Sequence, residues 1–190
     1  MKIGIFGGCF NPPHNMHKKI AIDLINNKYL DKVIYVPTGN KYNKKDLESF
    51  IDRYNMLKLM TSDYENLEVS DFEYNNTLVY TYQTLDYFKE KYKNSQIYFI
   101  CGTDNLKEIT TWKNYHYILT NYKLLVIKRN EDNIDNILES LAKYQNNIVV
   151  CNVKTDHLSS TMIRNDIKNN ANKIDDSVYN YIKNKQLYNS

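Results

Sequence analysis

The chain has 190 residues, of which 42% are hydrophobic and 25% charged, a composition typical of a soluble globular protein. Its net charge of +3 comes from 25 basic and 22 acidic residues scattered along the sequence, which argues against a nucleic-acid partner. No apolar run approaches the length that crosses a bilayer, so we expect no membrane association. The length predicts a single domain over residues 1–190, with a helical C-terminal part over 155–190.

The cysteines give no sign of a disulfide framework or a metal knuckle. Cys9, Cys101 and Cys151 are widely spaced, and each lies in or beside an apolar run. Their odd number favours reduced thiols, and glycines interrupt the apolar start at residues 7–8, where a signal peptide would continue its apolar core. We therefore expect a cytoplasmic protein, while the oligomeric state stays open.

Short apolar runs alternate with segments of helical period along the chain. The runs have the near-continuous hydrophobicity of strands covered on both faces, and they are KIGIF (2–6), KVIYV (32–36), QIYFI (96–100), KLLVI (123–127) and NIVVC (147–151). Helices are predicted from near Pro13 to Ile25, along a stripe of Leu47, Phe50, Ile51, Tyr54, Leu57 and Met60, over 81–92, from Ser159 onward and over 175–185. This alternation predicts an α/β fold, a Rossmann-like doubly wound parallel sheet of about five to six strands with C-terminal helices.

Residues suited to ligand binding follow the predicted strands. Gly7 and Gly8 come after the first run, 37–40 after the second, and Gly102-Thr103-Asp104 after the third. Ligands of doubly wound sheets bind outside the carboxyl ends of the strands, so these residues are expected at one site.

The segment GGCFNPPHNMH combines features that suit an anion. Its glycines let the backbone approach a ligand, and a helix beginning near Pro13 would place His14 and His17 on one face of its first turns, at its positive end. A plain strand–helix turn is the simpler alternative. A metal shared by the imidazoles is a third, although the nearest acid is Asp23 and no further ligand is evident.

The segment LSSTMIR (158–164) is the second candidate. Serines at a helix start offer amides and hydroxyls to phosphate oxygens, and Arg164 adds a planar cationic fork. The alternative is an ordinary N-cap with a surface arginine.

Together these segments resemble the signature pair of the nucleotidyltransferase superfamily, G-G-[ST]-F-[DN]-P-x-H-x-G-H and I-S-S-T-x-I-R. The middle of the chain is similar to the bacterial nicotinate-nucleotide adenylyltransferases: YTYQTLDYFKEKY (80–92), FICGTDNLKEITTWKNYHYIL (99–119), VIKR (126–129) and the ending VYNYIKNKQLY (178–188) all fit. The resemblance covers nearly the whole chain.

The chain departs from that pattern at several positions. Met16 replaces the usual glycine between the histidines, Cys9 replaces serine or threonine, and Asn11 stands where aspartate is common. A proline-rich loop after the second strand is replaced by TGNKYNKK, which puts its contact to the acceptor phosphate in doubt, and Arg129 is followed by asparagine rather than proline.

The resemblance implies adenylyl transfer from ATP to nicotinate mononucleotide, giving deamido-NAD and pyrophosphate. It implies catalytic roles for His14, His17 and Arg164, and Mg²⁺ carried with the ATP phosphates. The implied ATP-binding residues are Gly7, Gly8, Cys9, Phe10, Gly102, Asp104, Ser159, Ser160 and Thr161. The implied acceptor-binding residues are Thr81, Trp112, Lys41, Lys44 and Arg129.

Other functions remain open from the sequence. The same chemistry with nicotinamide mononucleotide, pantetheine phosphate, or CTP and a phospho-alcohol is the nearest alternative. A catalytically idle nucleotide-binding module and a metallohydrolase belong to different classes.

Overall fold

The protein is described by a computed structural model that covers residues 1–40, 46–74, 78–128, 134–156 and 158–189. Its strands are β1 (Lys2–Gly8), β2 (Lys32–Pro37), β3 (Leu67–Val69), β4 (Gln96–Gly102), β5 (Lys123–Ile127) and β6 (Ile148–Cys151). Its helices are α1 (Asn15–Asn26), α2 (Phe50–Thr61), α3 (Thr81–Lys91), α4 (Thr103–Glu108), α5 (Tyr115–Asn121), α6 (Asp135–Ser140), α7 (Ser160–Asn165) and α8 (Asp176–Lys185).

The strands form one parallel sheet in the order β3-β2-β1-β4-β5-β6. The chain winds from β1 outward through β2 to β3, then returns to place β4 on the other side of β1. The point where the winding reverses lies between β1 and β4, whose carboxyl ends are therefore the expected ligand edge. The predicted doubly wound α/β fold is confirmed.

Two hydrophobic layers cover the faces of the sheet, because alternate residues of a strand point to opposite sides. Val33 and Tyr35 pack in the layer beneath α1, α2 and α8, whereas Ile34 and Val36 pack in the layer with α3, α4 and α5. Within β1, a methyl group on Gly4 would lie 2.3 Å from Leu30 Cδ1, so a larger residue there would displace the side chains packed on this strand.

Several predicted elements need correction. The short edge strand β3 was not predicted, and the first helix begins at Asn15 rather than near Pro13. Ile51, placed on the buried stripe of α2, is 45% exposed, whereas Arg53 of the same helix is fully buried. The prediction that Ile51 is buried was wrong, because α2 directs Ile51 toward solvent and Arg53 toward the interior.

Candidate active site

A cleft of about 770 Å³ opens at the carboxyl ends of β1 and β4. This is the size of a small-molecule site, and it lies where the strand order reverses. Its lining includes every predicted site residue that the structure describes: Gly7, Gly8, Cys9, Phe10, His14, His17, Thr81, Gly102, Asp104, Trp112, Ser159, Ser160, Thr161 and Arg164. The other predicted residues, Lys41, Lys44 and Arg129, lie outside the described residues.

The two sequence motifs are joined by direct hydrogen bonds across the cleft. The hydroxyl of Ser160 donates to the carbonyl of Pro12 (2.8 Å), and Arg164 Nη1 donates to the carbonyl of Asn11 (2.6 Å). Arg164 Nη2 also donates to the hydroxyl of Thr161 at 3.2 Å. The start of α7 is thereby held against the loop after β1, although the two segments lie about 150 residues apart in sequence. These bonds leave other guanidinium N–H groups of Arg164 for a ligand.

A buried arginine fixes the loops at the ends of β1 and β2. Arg53 of α2 donates to the carbonyls of Cys9 (2.9 Å), Thr38 (2.6 Å) and Glu48 (2.9 Å). Burial lowers the pKa of this guanidinium from its ordinary value, yet its donors are matched by carbonyl oxygens. Helical periodicity alone gives no signal for this role, because the partners of Arg53 lie on other segments.

The carbonyl groups of the loop after β1 are therefore occupied by protein donors. The oxygens of Cys9, Asn11 and Pro12 accept from Arg53, Arg164 and Ser160 in turn. An oxygen engaged in this way repels an approaching anion less than a free one would. The loop thus suits a negatively charged ligand, in agreement with the glycines that precede it.

His17 lies in the first turn of α1, as predicted, whereas His14 precedes the helix. His14 is not in the first turn of α1: it is the N-cap, with an extended backbone, and its side chain is buried. Its backbone N–H donates to Nδ1 of His17 (3.2 Å), and the two rings stack with centroids 3.7 Å apart. Because Nδ1 of His17 accepts, neutral His17 carries its proton on Nε2 and can donate it to a ligand.

Aromatic side chains surround His17. The Phe10 ring meets His17 edge-on at 5.0 Å, and the buried Tyr35 hydroxyl donates to the His17 carbonyl at 3.0 Å. Phe10 has φ of 47°, a left-handed conformation that is strained for a bulky residue. The strain lies within the cleft lining, between Gly8 and His14.

Met16 replaces the glycine that the resemblance leads us to expect between the two histidines. Its side chain is buried and packs in the same layer as Ile20 and Ile163, while also contributing to the cleft wall. Met16 therefore belongs both to the core on this face of the sheet and to the wall of the cleft.

The carboxyl end of β4 supplies the opposite wall. Gly102 is the N-cap of α4, and Asp104 lies in the first turn of that helix, facing the cleft. The side chain of Asp104 is therefore not used as the N-cap of α4.

The far end of the cleft is aromatic. Trp112 is half-buried and packs edge-on against Phe99 of β4, with centroids 5.8 Å apart. Thr81, the first residue of α3, lines the same end, as does the exposed Lys113 next to Trp112. This end offers one aromatic face, a helix start and a cation.

Glu73 is a cleft residue that the sequence did not single out. Its carboxylate accepts from the Thr84 hydroxyl (2.9 Å) and from the Gly39 N–H (3.2 Å), which ties the loop after β2 to α3. Burial raises the pKa of Glu73, while these two hydrogen bonds and the charge of Arg53 oppose the increase. No motif of a single sequence marks it, because its partners come from two other segments.

Within the described ranges, no cluster of three or more His, Cys, Asp or Glu residues is arranged to hold a metal ion. None of the described helices has the length and apolarity needed to cross a bilayer.

The sequence pattern of the family described as Cytidylyltransferase-like matches residues 5–166. A protein of Clostridium novyi named probable nicotinate-nucleotide adenylyltransferase is 38% identical over 178 residues, covering 90% of this chain and 89% of its own length. A protein of the same name from Clostridium acetobutylicum is 36% identical, with 98% of both chains covered. The chain belongs to the nicotinate-nucleotide adenylyltransferases, within the cytidylyltransferase-like family.

Solved structures share the fold of this adenylyltransferase. The nicotinic acid mononucleotide adenylyltransferase of Plasmodium falciparum, complexed with NaAD, superposes with a TM-score of 0.83 at 24% identity, covering 99% of this chain and 97% of its own. The same protein complexed with APC gives a TM-score of 0.81 at 23% identity, with the same coverage.

Proposed function

We propose that this adenylyltransferase transfers the adenylyl group of ATP to nicotinate mononucleotide, releasing pyrophosphate and forming deamido-NAD. One observation carries the proposal: the loop after β1 and the start of α7 are hydrogen-bonded together in the lining of a cleft that Trp112 also lines. A cleft of this form has a place for a triphosphate and a place for an aromatic ring. The names of the relatives point to the same reaction.

The reaction requires little covalent chemistry from the protein. The phosphate of the mononucleotide is already an anion, so it attacks the α-phosphorus of ATP without a general base. The bond to the β-phosphate oxygen then breaks, and pyrophosphate leaves with that electron pair. Catalysis consists of holding the reactants in line and stabilising the charge that develops on the α-phosphate and the leaving group.

The residues of the phosphate end divide this work between them. We assign Nε2–H of His17 to the developing charge at the α-phosphate, and His14 to the neighbouring phosphate oxygens. Arg164 and the start of α7, with Ser159, Ser160 and Thr161, hold the β- and γ-phosphates. The hydroxyl of Ser159 accepts from the Met162 N–H, so it acts as N-cap and still has its own proton to donate.

The remaining cleft residues position the rest of the substrates. Gly7, Gly8, Cys9 and Phe10 provide the backbone that the ATP approaches, and Gly102 and Asp104 contact its ribose or adenine. Trp112 stacks on the pyridine ring, and the backbone N–H of Thr81 faces the carboxylate of the nicotinate. The contributions of Lys41, Lys44 and Arg129 to the acceptor remain predictions.

Magnesium fits this site as an ion that arrives with ATP. Mg²⁺ prefers oxygen ligands and keeps several waters, so one carboxylate and the phosphate oxygens are enough to bind it. When bound, the ion neutralises negative charge on the phosphates.

An acid substrate is favoured over the amide by the charge at the aromatic end. Lys113 adjoins Trp112 in the cleft lining, and no described acidic side chain forms an ion pair with it. A carboxylate on a ring stacked against Trp112 would gain from this cation, whereas a carboxamide would not. Pantetheine phosphate has no ring for Trp112 to stack on.

The decisive experiment measures kcat/KM for pyrophosphate release with ATP and each mononucleotide. We expect nicotinate mononucleotide to be preferred, and equal values or a preference for the amide would overturn the assignment. No pyrophosphate release with any acceptor, together with ATP binding, would identify the chain as an idle nucleotide-binding module.

Residues 1–190 form a single catalytic domain with α7 as part of its site, and the protein works in the cytoplasm. Cys9, Cys101 and Cys151 form no disulfide bond in the described part of the chain, which supports that location.

A further inference from the structure

Tyr188 reaches the loop after β1 from the far end of the chain. After α8 ends at Lys185, Gln186 and Tyr188 adopt left-handed conformations with φ of 54° and 59°. These turns bring the Tyr188 hydroxyl to Oδ1 of Asn11, 2.8 Å away. Left-handed conformations are unfavourable for residues with side chains, so the contacts made by this turn outweigh its strain.

Asn11 is the centre of a buried network. Its Oδ1 accepts from Tyr188 and from the N–H of Glu48 (3.2 Å), and its Nδ2 donates to the carbonyl of Asp46 (2.8 Å). Its own carbonyl accepts from Arg164. Both polar atoms of the side chain are used, and aspartate, common in the family at this position, has no donor for the carbonyl of Asp46.

The Tyr188 hydroxyl stays protonated at neutral pH and can therefore donate to Asn11. Burial, together with the charge of Glu48, raises the pKa of Tyr188 above its ordinary value, while Arg164 and Arg53 oppose the increase. The phenol therefore keeps its proton at neutral pH and donates it to Asn11.

We propose that Tyr188 is a positioning residue for ATP: through Asn11 it fixes the loop of residues 9–14 in the conformation that receives the triphosphate. Tyr188 and Asn11 are absent from the described lining of the cleft, so they act through the backbone between Gly8 and His14. Small displacements of such a backbone are costly, because phosphate binding depends on donors held at fixed distances. This inference rests on the proposed function only in that the cleft binds ATP.

Tyr181, on α8 just before this turn, provides a matched control. Its hydroxyl donates to Oδ1 of Asp52 (2.8 Å) and accepts from Nδ2 of Asn55 (3.2 Å), both on α2. Removing this hydroxyl weakens the packing of α8 against α2 and leaves the loop after β1 untouched.

The test compares Tyr188→Phe with Tyr181→Phe in the full chain. Dissociation constants are measured separately for ATP without acceptor and for nicotinate mononucleotide without ATP, and urea denaturation gives the stability of each variant. We expect Tyr188→Phe to weaken ATP binding about fivefold, the value of one neutral hydrogen bond. Binding of the mononucleotide should change less than twofold, and Tyr181→Phe should leave both constants within twofold at a similar loss of stability.

A double-mutant cycle with Asn11→Ala separates positioning from general stabilisation. Because the two residues act in series, the effect of Tyr188→Phe on ATP binding should largely disappear in the Asn11→Ala background. Unchanged ATP binding in Tyr188→Phe, equal weakening of both ligands, or additive effects in the cycle would each overturn the proposal.

Pyrophosphate release by the wild type tells the two proposals apart. If the wild type binds ATP but releases no pyrophosphate, the catalytic assignment fails while the comparison of dissociation constants still decides the role of Tyr188. A wild type that does not bind ATP overturns both.

Discussion

The two ring nitrogens of His17 have different roles, which substitutions of this residue can separate. Nδ1 accepts the backbone N–H of His14 at the start of α1, and Nε2 carries the proton that we assign to the α-phosphate. His17→Asn places an amide oxygen near the position of Nδ1 and nothing at Nε2. His17→Ala removes both groups, and His17→Gln offers an amide N–H near the position of Nε2.

Loss of the donor Nε2 is measured as a decrease in kcat, and loss of the acceptor Nδ1 as a decrease in the free energy of unfolding. A donor to the charge that develops in the transition state is worth ~2.7–4 kcal/mol, so both His17→Asn and His17→Ala should lower kcat by about 100- to 1000-fold. The acceptor at a helix N-terminus is worth ~1 kcal/mol of stability. Both variants lose the ring contact with Phe10, so this loss cancels when the two are compared. The free energy of unfolding should therefore be about 1 kcal/mol lower for His17→Ala than for His17→Asn, because only the asparagine variant keeps the acceptor.

The assay is pyrophosphate release at saturating ATP and nicotinate mononucleotide, paired with urea denaturation. His17→Gln should recover part of the lost kcat, because it restores a donor. A decrease in kcat of less than tenfold in His17→Asn would refute the role of Nε2. Equal stability of the asparagine and alanine variants would refute the role of Nδ1.

Three further predictions concern residues around the cleft. Arg53→Met should lower the free energy of unfolding by ~3–5 kcal/mol, because three carbonyls lose their buried donor; a loss below about 1 kcal/mol in urea denaturation would contradict this. Lys113→Met should reduce the ratio of kcat/KM for acid over amide acceptor by roughly twofold to fivefold, with Lys113→Arg as the control that keeps the charge; an unchanged ratio would remove Lys113 from acceptor recognition. Because the pKa of Glu73 is raised in the folded state, the folded protein binds this proton more tightly than the unfolded chain. The stability of the wild type relative to Glu73→Gln should therefore rise as the pH falls toward the ordinary value of 4.5, and urea denaturation at pH 7 and pH 5 would show no such rise if the pKa were unshifted.

The sequence was most informative where local pattern and chemistry coincide. The apolar runs that became β1, β2, β4, β5 and β6 are short and nearly continuous in hydrophobicity, so a parallel sheet could be inferred from them, although not the order of its strands. Glycines, histidines and serines at the ends of these elements then located the cleft, since parallel strands end at one edge. In contrast, β3 has only three residues, one of them Glu68, which is too short for a periodic signal.

The contacts that shape the cleft could not be predicted, because their partners are distant in sequence. From the sequence, Arg53 is expected on the exposed surface of a helix. Only the fold shows that it donates to the carbonyls of Cys9 and Thr38. Likewise, the interaction of Tyr188 with Asn11 spans 177 positions. Met16, which replaces the usual glycine, is buried in the core and also lines the cleft, a placement that the sequence alone does not give.

The buried guanidinium of Arg53 also requires that α2 dock on the sheet before the protein can bind its ligand. It joins segments 44 and 15 residues away, and it can do so only after α2 has docked on the sheet. A chain in which β1, β2 and β4 have paired but α2 has not docked lacks this link between the loops after β1 and β2. ATP therefore recognises the completed fold and not its intermediates, so the nucleotide should raise the melting temperature and protect both loops from proteolysis together.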